Sequence, residues 1–329
     1  MTAAHGLAGR ATPPRPIEAD QTTTRGRTSV LRGVFPVLST PFHADGGCDP
    51  AGLARLIHYA RRAGAHGAVY PAIASEFATL DAAERHAMVD VALSACTKLG
   101  LPLVVGVSAD GAARSRSLAE QAAAGGAAAV MLMVPRAAST SAGELAGFVT
   151  EALAGLDIPV VLQNAPPPLG SALPVADVLA AVAALPSIRY VKEENVPCGQ
   201  RITQLLEGAP AHLEGVMGGA GGRFVLDEYA RGACGSMPSC ELVEAHVAIW
   251  DAVQAGHTRL ARDLFTRILP LLSLASVYRQ AVVKEVLLRR GLIGAARFRD
   301  ANPSLDRHDV TEIEALMEDL RDLMSVREA

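Results

Sequence analysis

Tyr190, Lys192 and Glu194 stand two apart in the stretch SIRYVKEENVP, residues 187–197. Side chains alternate along an extended strand, so these three share one face while Val191 and Glu193 share the other. An ammonium group near the end of so apolar a run is unusual, because lysine is seldom buried without a partner. Two chemistries fit the pattern. If the face points into a water-poor interior, desolvation disfavours the ammonium form and makes a neutral amine available, which can condense with a ketone to a Schiff base. The iminium then draws electrons from the adjacent carbon, so a proton leaves there, and Glu194 is a candidate base or acid for that transfer. If the strand ends at a solvated rim, Lys192 and Glu194 are an ordinary ion pair.

The surrounding chain must hold such a strand in place. From residue 33 onward, short β-rich runs alternate with Ala-rich segments of helical length. The runs begin near residues 33, 67, 101, 128, 158, 187, 212 and 234, and each is nearly uninterrupted rather than alternating. That is the pattern of parallel strands covered on both faces. Helix starts are marked by Asp49-Pro50, by Asp81 with Glu84, and by Ser141 with Glu144. Eight strand–helix units predict a (β/α)₈ TIM barrel, with catalytic groups at the C-terminal ends of its strands. A doubly wound nucleotide-binding sheet is the rival, but no Gly-x-Gly-x-x-Gly follows the first strand. The expected organisation is a flexible tail at 1–32, the barrel at 33–255 and a C-terminal extension of three helices at 256–329.

Composition narrows the partners. Of 329 residues 50% are hydrophobic and 19% charged, with a net charge of -4, which argues against nucleic acid or an anionic membrane as the main partner. No apolar run is long enough to span a bilayer and the Thr- and Pro-rich N-terminus lacks the apolar core of a secretory signal, so a cytoplasmic location is expected. Five cysteines with no Cys-x-x-Cys pair suggest free thiols, and nine scattered histidines suggest no metal site.

Three stretches carry a resemblance to a known family: GVFPVLSTPFHADGGCDPAGL at 33–53, YVKEEN at 190–195 and AVVKEVLLRRGLI at 281–293. They resemble the dihydrodipicolinate synthase/N-acetylneuraminate lyase family, class I Schiff-base barrels acting on 2-keto acids. The resemblance implies that Lys192 is the imine-forming residue, that no cofactor is needed, and that the chain assembles into homodimers or homotetramers. The match has gaps. Where the family has Gly-Thr-Thr-Gly-Glu, this chain has Ala72-Ile73-Ala74-Ser75-Glu76, leaving Ser75 as the hydroxyl and Glu76 as the acid for substrate binding. Where the family's strand five ends in Tyr-Asn-x-Pro, this chain reads LQNAP, so Gln163 replaces a tyrosine, and a carboxamide cannot cycle a proton as a phenol does. Pro168 replaces an arginine of the synthases, and Arg136 stands after strand four in place of a second tyrosine.

The combination of Gln163, the Ser75-Glu76 pair and Lys192-x-Glu194 is similar to the branch of 2-keto-3-deoxy-L-arabonate dehydratases. The implied function is a lyase that dehydrates a 2-keto-3-deoxy sugar acid through a Lys192 imine. A pyruvate-dependent aldolase or condensing enzyme is the alternative, and a weakly catalytic keto-acid-binding barrel a third. Candidate site residues are Lys192, Gln163 and Glu194 for catalysis, and Ser75, Glu76, Arg136, Gly218 and Ser236 for substrate binding. The Gly-rich stretch GVMGGAGGRF at 215–224 could cradle an anion or form a tight turn after strand seven.

Overall fold

The computed structural model describes residues 31–133, 141–168, 170–301 and 303–326. The expected flexible tail up to residue 30 and the candidate Arg136 lie outside them. Leu31 and Arg32, assigned to that tail, pack on the body of the protein. Leu31 is buried with its N–H donating to the Tyr190 hydroxyl at 3.0 Å, and the Arg32 guanidinium lies over the Trp250 ring.

Eight parallel strands follow one another around a single sheet: β1 (Gly33–Val34), β2 (Ala68–Val69), β3 (Leu103–Gly106), β4 (Ala129–Leu132), β5 (Val160–Asn164), β6 (Ile188–Glu193), β7 (Gly215–Gly218) and β8 (Gly235–Ser236). β1 pairs with β8, and the ring is closed toward β2 by a parallel bridge between Val37 and Val69. The first apolar run is long, yet β1 is short because Pro36 has no N–H to give to a ladder. Its carbonyl still accepts from Val69 N–H at 3.0 Å.

The helices α1 (Pro50–Arg62), α2 (Ala82–Leu99), α3 (Ala112–Ala124), α4 (Ala142–Leu153), α5 (Val175–Ala184), α6 (Cys198–Gly208), α7 (Val225–Ala230) and α8 (Val243–Gln254) alternate with the strands, as the sequence pattern predicts. Their starts follow the sequence signals. Asp49 accepts from Gly52 N–H with Pro50 behind it, Asp81 and Glu84 cap each other reciprocally, and Ser141 accepts from Glu144 N–H. The three further helices are α9 (Thr258–Tyr278), α10 (Gln280–Arg289) and α11 (Arg307–Asp319). They share the apolar layer outside the strands, where Ile268, Leu271, Val282, Val286 and Ile313 join residues of the barrel helices in one buried cluster. Each such side chain removed from water stabilises the fold by about 1.5–3 kcal/mol.

A second buried cluster fills the barrel. Val69, Val104, Met131, Val161, Tyr190 and Met217 point inward from successive strands, and Leu31 and Phe35 join them. The barrel is therefore a packed core and not a pore, and side chains beyond these layers emerge at the C-terminal rim of the strands. Among the described residues no helix is long and apolar enough to cross a membrane.

Candidate active site

Paired register of β5 and β6 sets the site. Gln163 lies opposite Lys192, and Asn164 opposite Glu193. Alternation sends the first pair inward, above Tyr190, and the second pair outward, toward the helices. The outward pair is locked: Glu193, with no exposed surface, accepts from Asn164 Nδ2 at 2.8 Å and from Asn195 N–H at 2.8 Å, with the Arg201 guanidinium 3.3 Å away. This network fixes the ends of both strands and hence the height of the inward pair.

Lys192 is 3% exposed, and its Nζ stands 3.1 Å from Glu194 Oε1. The amine thus points inward as the alternation predicts, but the wall it meets is not apolar. Its near neighbour is a carboxylate, so the amine's proton has an acceptor in place. Glu194 is held from two further sides: Gln163 Nε2 donates to Oε2 at 2.7 Å, and Ala220 N–H donates to Oε1 at 3.1 Å. Burial pushes the Glu194 carboxyl upward, but the Lys192 charge and these donors outweigh it, and the net direction is down. Glu194 is therefore an anion at neutral pH, oriented and ready to accept a proton.

The Gly-rich stretch takes the second of its expected forms. It is a tight turn, with Ala220, Gly221 and Gly222 at positive φ, and the anion its backbone holds is the Glu194 carboxylate. Gly219 allows that approach, because a Cβ there would come within 2.5 Å of Glu194 Oε1.

A cavity of about 350 Å³ opens over Lys192 and Glu194, walled by Pro166 from the loop after β5, Ala220 and Arg223 from the turn after β7, and Arg279 from the break between α9 and α10. Its volume suits a small metabolite. Ile73 and Ala74 from the turn after β2 also line it.

The other sequence candidates lie elsewhere. The Ser75 hydroxyl donates to Leu38 C=O at 2.5 Å and accepts from Ala72 N–H at 3.0 Å, so it braces its own turn and does not line the cavity. Glu76 is turned away from the cavity: Oε1 receives Lys284 Nζ at 2.5 Å, and Oε2 receives the N–H groups of Arg299 and Asp300 at 2.6 and 2.8 Å. Ser236 Oγ is bonded to the Tyr229 hydroxyl at 2.7 Å, under the helices. Gly218 faces the same outer layer, where an added Cβ would come within 1.9 Å of Glu228 Oε2. The structure thus brings together Lys192, Glu194 and Gln163, and separates Ser75, Glu76, Gly218 and Ser236 from them.

Sequence reasoning missed the Glu76–Lys284 pair, although its signal was of the same kind as that of Lys192: a lone lysine in an apolar run, AVVKEV. Burial pushes the Lys284 ammonium down, partly countered by Glu76, and its Nζ is occupied by Glu76 and the Arg297 carbonyl. Desolvation of this kind suits a reactive amine. Geometry rules Lys284 out, because it lies outside the cavity lining and Lys192 lies in it.

Glu228 was also missed. Neither of its carboxyl oxygens has a hydrogen-bond partner among the described residues. Burial, then the charges of Glu194, Asp227 and Glu193, push its pKa up to about 8. Between about pH 4.5 and 8 the folded protein keeps a proton that the unfolded chain has released, so stability falls as pH rises through that window. Glu228→Gln should flatten this slope: thermal melts should show no gain near pH 4 and stabilisation of up to a few kcal/mol at pH 8.

An eight-stranded parallel barrel with an amine–carboxylate pair at the end of its sixth strand defines the class of protein. The chain belongs to the dihydrodipicolinate synthetase family, whose model matches residues 30–320; it is an enzyme of that lyase family. Among similar proteins, the 4-hydroxy-tetrahydrodipicolinate synthase of Methanosarcina mazei is 28% identical over 245 residues, 74% of this chain and 82% of that one. The 4-hydroxy-tetrahydrodipicolinate synthase of Stenotrophomonas maltophilia is 34% identical over 166 residues, 50% of this chain and 54% of that one. The crystal structure of dihydrodipicolinate synthase from Rhodopseudomonas palustris superposes with a TM-score of 0.81 at 30% identity, covering 88% of this chain and 98% of that one.

Among the described residues no group of three or more His, Cys, Asp or Glu side chains could hold a metal ion.

Proposed function

We propose that the chain is a class I Schiff-base lyase for a small 2-keto acid, with Lys192 as the amine that condenses and dehydration of a 2-keto-3-deoxy sugar acid as the reaction. The observation that carries this reading is the buried Lys192 Nζ with Glu194 at 3.1 Å on the floor of a cavity. Glu194 takes the ammonium proton, and the freed amine attacks the C2 carbonyl. Loss of water from the carbinolamine gives an iminium, which acidifies the C3 protons. Glu194, relieved of its first proton by solvent, removes one from C3 and passes it to the departing C4 hydroxyl, which leaves as water. Hydrolysis of the unsaturated imine returns the amine and releases the product. Gln163 holds Glu194 Oε2 and Ala220 N–H holds Oε1, which stands 3.1 Å from Lys192 Nζ.

The relatives' names favour a condensing reaction as the alternative. Against it stands the cavity itself: no tyrosine hydroxyl lines it among the described residues, and the residue opposite Lys192 is Gln163, which cannot relay a proton as a phenol would. In keeping with the family resemblance, a homodimer or homotetramer is the proposed assembly.

Offering the protein 2-keto-3-deoxy sugar acids with one terminal carboxylate and with two, and following water loss against pyruvate release, separates the two reactions. Dehydration without pyruvate supports the reading, and pyruvate release overturns it. Glu194→Gln should slow dehydration on the order of a hundredfold, the range of a lost general base. Borohydride trapping of a keto acid should persist in this variant, more slowly, while turnover is lost, because the imine forms at Lys192 and the carboxylate is needed at C3.

A further inference from the structure

Schiff-base chemistry at Lys192 leaves two charged groups of the cavity wall unexplained. Arg223 follows the 3₁₀ turn Ala220–Gly222, and its Nε donates to the Ala220 carbonyl at 2.9 Å. Arg279 occupies the break between α9 and α10 at φ 49 and ψ -120. A long side chain rarely adopts that backbone, and such strain persists only where the surrounding structure enforces it. Both arginines line the cavity. Among the described residues neither is ion-paired to a carboxylate within 4.0 Å.

Among the described residues the charges that line the cavity do not balance. On its floor Lys192 and Glu194 cancel, which leaves the two guanidinium groups in excess. Asp300 is near enough to feel Arg279, but it does not line the cavity, and burial and Glu76 push its carboxyl upward. A 2-oxo monoacid brings one carboxylate. Its chain is also short for the space, since about 350 Å³ is on the order of ten water volumes. Paired forks of this kind match the oxygens of a carboxylate or phosphate, and a low-dielectric cleft of one sign strengthens the attraction.

We infer that the substrate is a 2-oxo acid carrying a second anionic group, carboxylate or phosphate, at the end remote from its carbonyl, and that Arg223 and Arg279 hold that group. This rests on the Schiff-base reading and adds the substrate class to it. The second charge draws the molecule in and sets the distance of its carbonyl carbon from Lys192.

The test is borohydride trapping of the whole protein, read as intact mass against acid concentration. Pyruvate and 2-oxobutyrate serve as monoacids, 2-oxoglutarate and 2-oxoadipate as diacids, and a 4-phosphono-2-oxobutyrate probe distinguishes phosphate from carboxylate. One or more of the doubly charged acids should half-saturate roughly ten- to a hundredfold below the monoacids, the range expected for hydrogen bonds to a charged group. That preference should collapse to within about threefold in Arg223→Gln and in Arg279→Gly, the glycine being suited to the positive φ, so that loss there does not report unfolding. Equal half-saturation by all the acids, or a preference untouched in both variants, overturns the inference while the Schiff base stands. No adduct with any acid overturns the Schiff-base reading and the inference together.

Discussion

Lys192→Ala will form no reducible adduct with any 2-oxo acid and will lose turnover by on the order of 10⁴-fold or more, as expected when a covalent nucleophile is removed. The size of the effect follows from the site. Among the described residues no other amine lines the cavity: the chain contains three lysines, of which Lys284 is bound to Glu76 and Lys98 lies in the last turn of α2. The substitution also leaves Glu194 buried without its cation, so a control is needed against loss of fold. Lys192→Arg supplies it. A guanidinium keeps a positive charge beside Glu194 but does not condense with a ketone, so this variant should retain the circular dichroism of the parent and be equally inactive. Activity in either variant would show that the imine is formed elsewhere or not at all.

Glu76→Ala will cost about 3–5 kcal/mol of stability, the range for removing one member of a buried ion pair. Both side chains of the Glu76–Lys284 pair are fully inaccessible. Glu76 also sits in the left-handed region at φ 57, where it receives the N–H groups of Arg299 and Asp300. Through these bonds one carboxylate ties the turn after β2 to α10 and to the segment beyond it. Phe42 completes the joint, with Lys284 Nζ and the Arg299 guanidinium each 4.3 Å from its ring centroid. Removing the carboxylate strands the Lys284 ammonium and two backbone donors together. Denaturant unfolding should show the loss, and the double variant Glu76→Gln/Lys284→Met should recover part of it because no uncompensated charge remains. A loss below 1 kcal/mol for Glu76→Ala would mean that the C-terminal helices are held on the barrel by apolar packing alone.

What could be read from the sequence is what depends on short-range regularity. The eight uninterrupted apolar runs became eight parallel strands, and the period of two placed Tyr190 and Lys192 on the inward face with Glu194 above and Glu193 outside. Glu194 could be paired with Lys192 because both belong to one strand end. Family resemblance added Gln163, which the register then set opposite Lys192.

The misplacements have long-range causes. Position in a motif suggested Ser75 and Glu76 for the substrate, but the direction of the Ser75 hydroxyl depends on a 3₁₀ turn and on the Leu38 carbonyl. Glu76 turns away because its cation arrives from α10, far along the chain. Gly218 and Ser236 lie on the outer face of their strands, a parity that strands as short as β8 do not reveal. Arg223 and Arg279 were passed over because one belongs to a turn and the other to a helix break, and only the closed barrel brings them to one cavity.

Imine formation at Lys192 is tested by peptide mapping after borohydride reduction in the presence of a 2-oxo acid. A single stoichiometric adduct is expected, on the peptide containing Lys192, with Lys98 and Lys284 unmodified. An adduct on Lys284 or Lys98, or turnover of substrate with no trappable adduct, would contradict it.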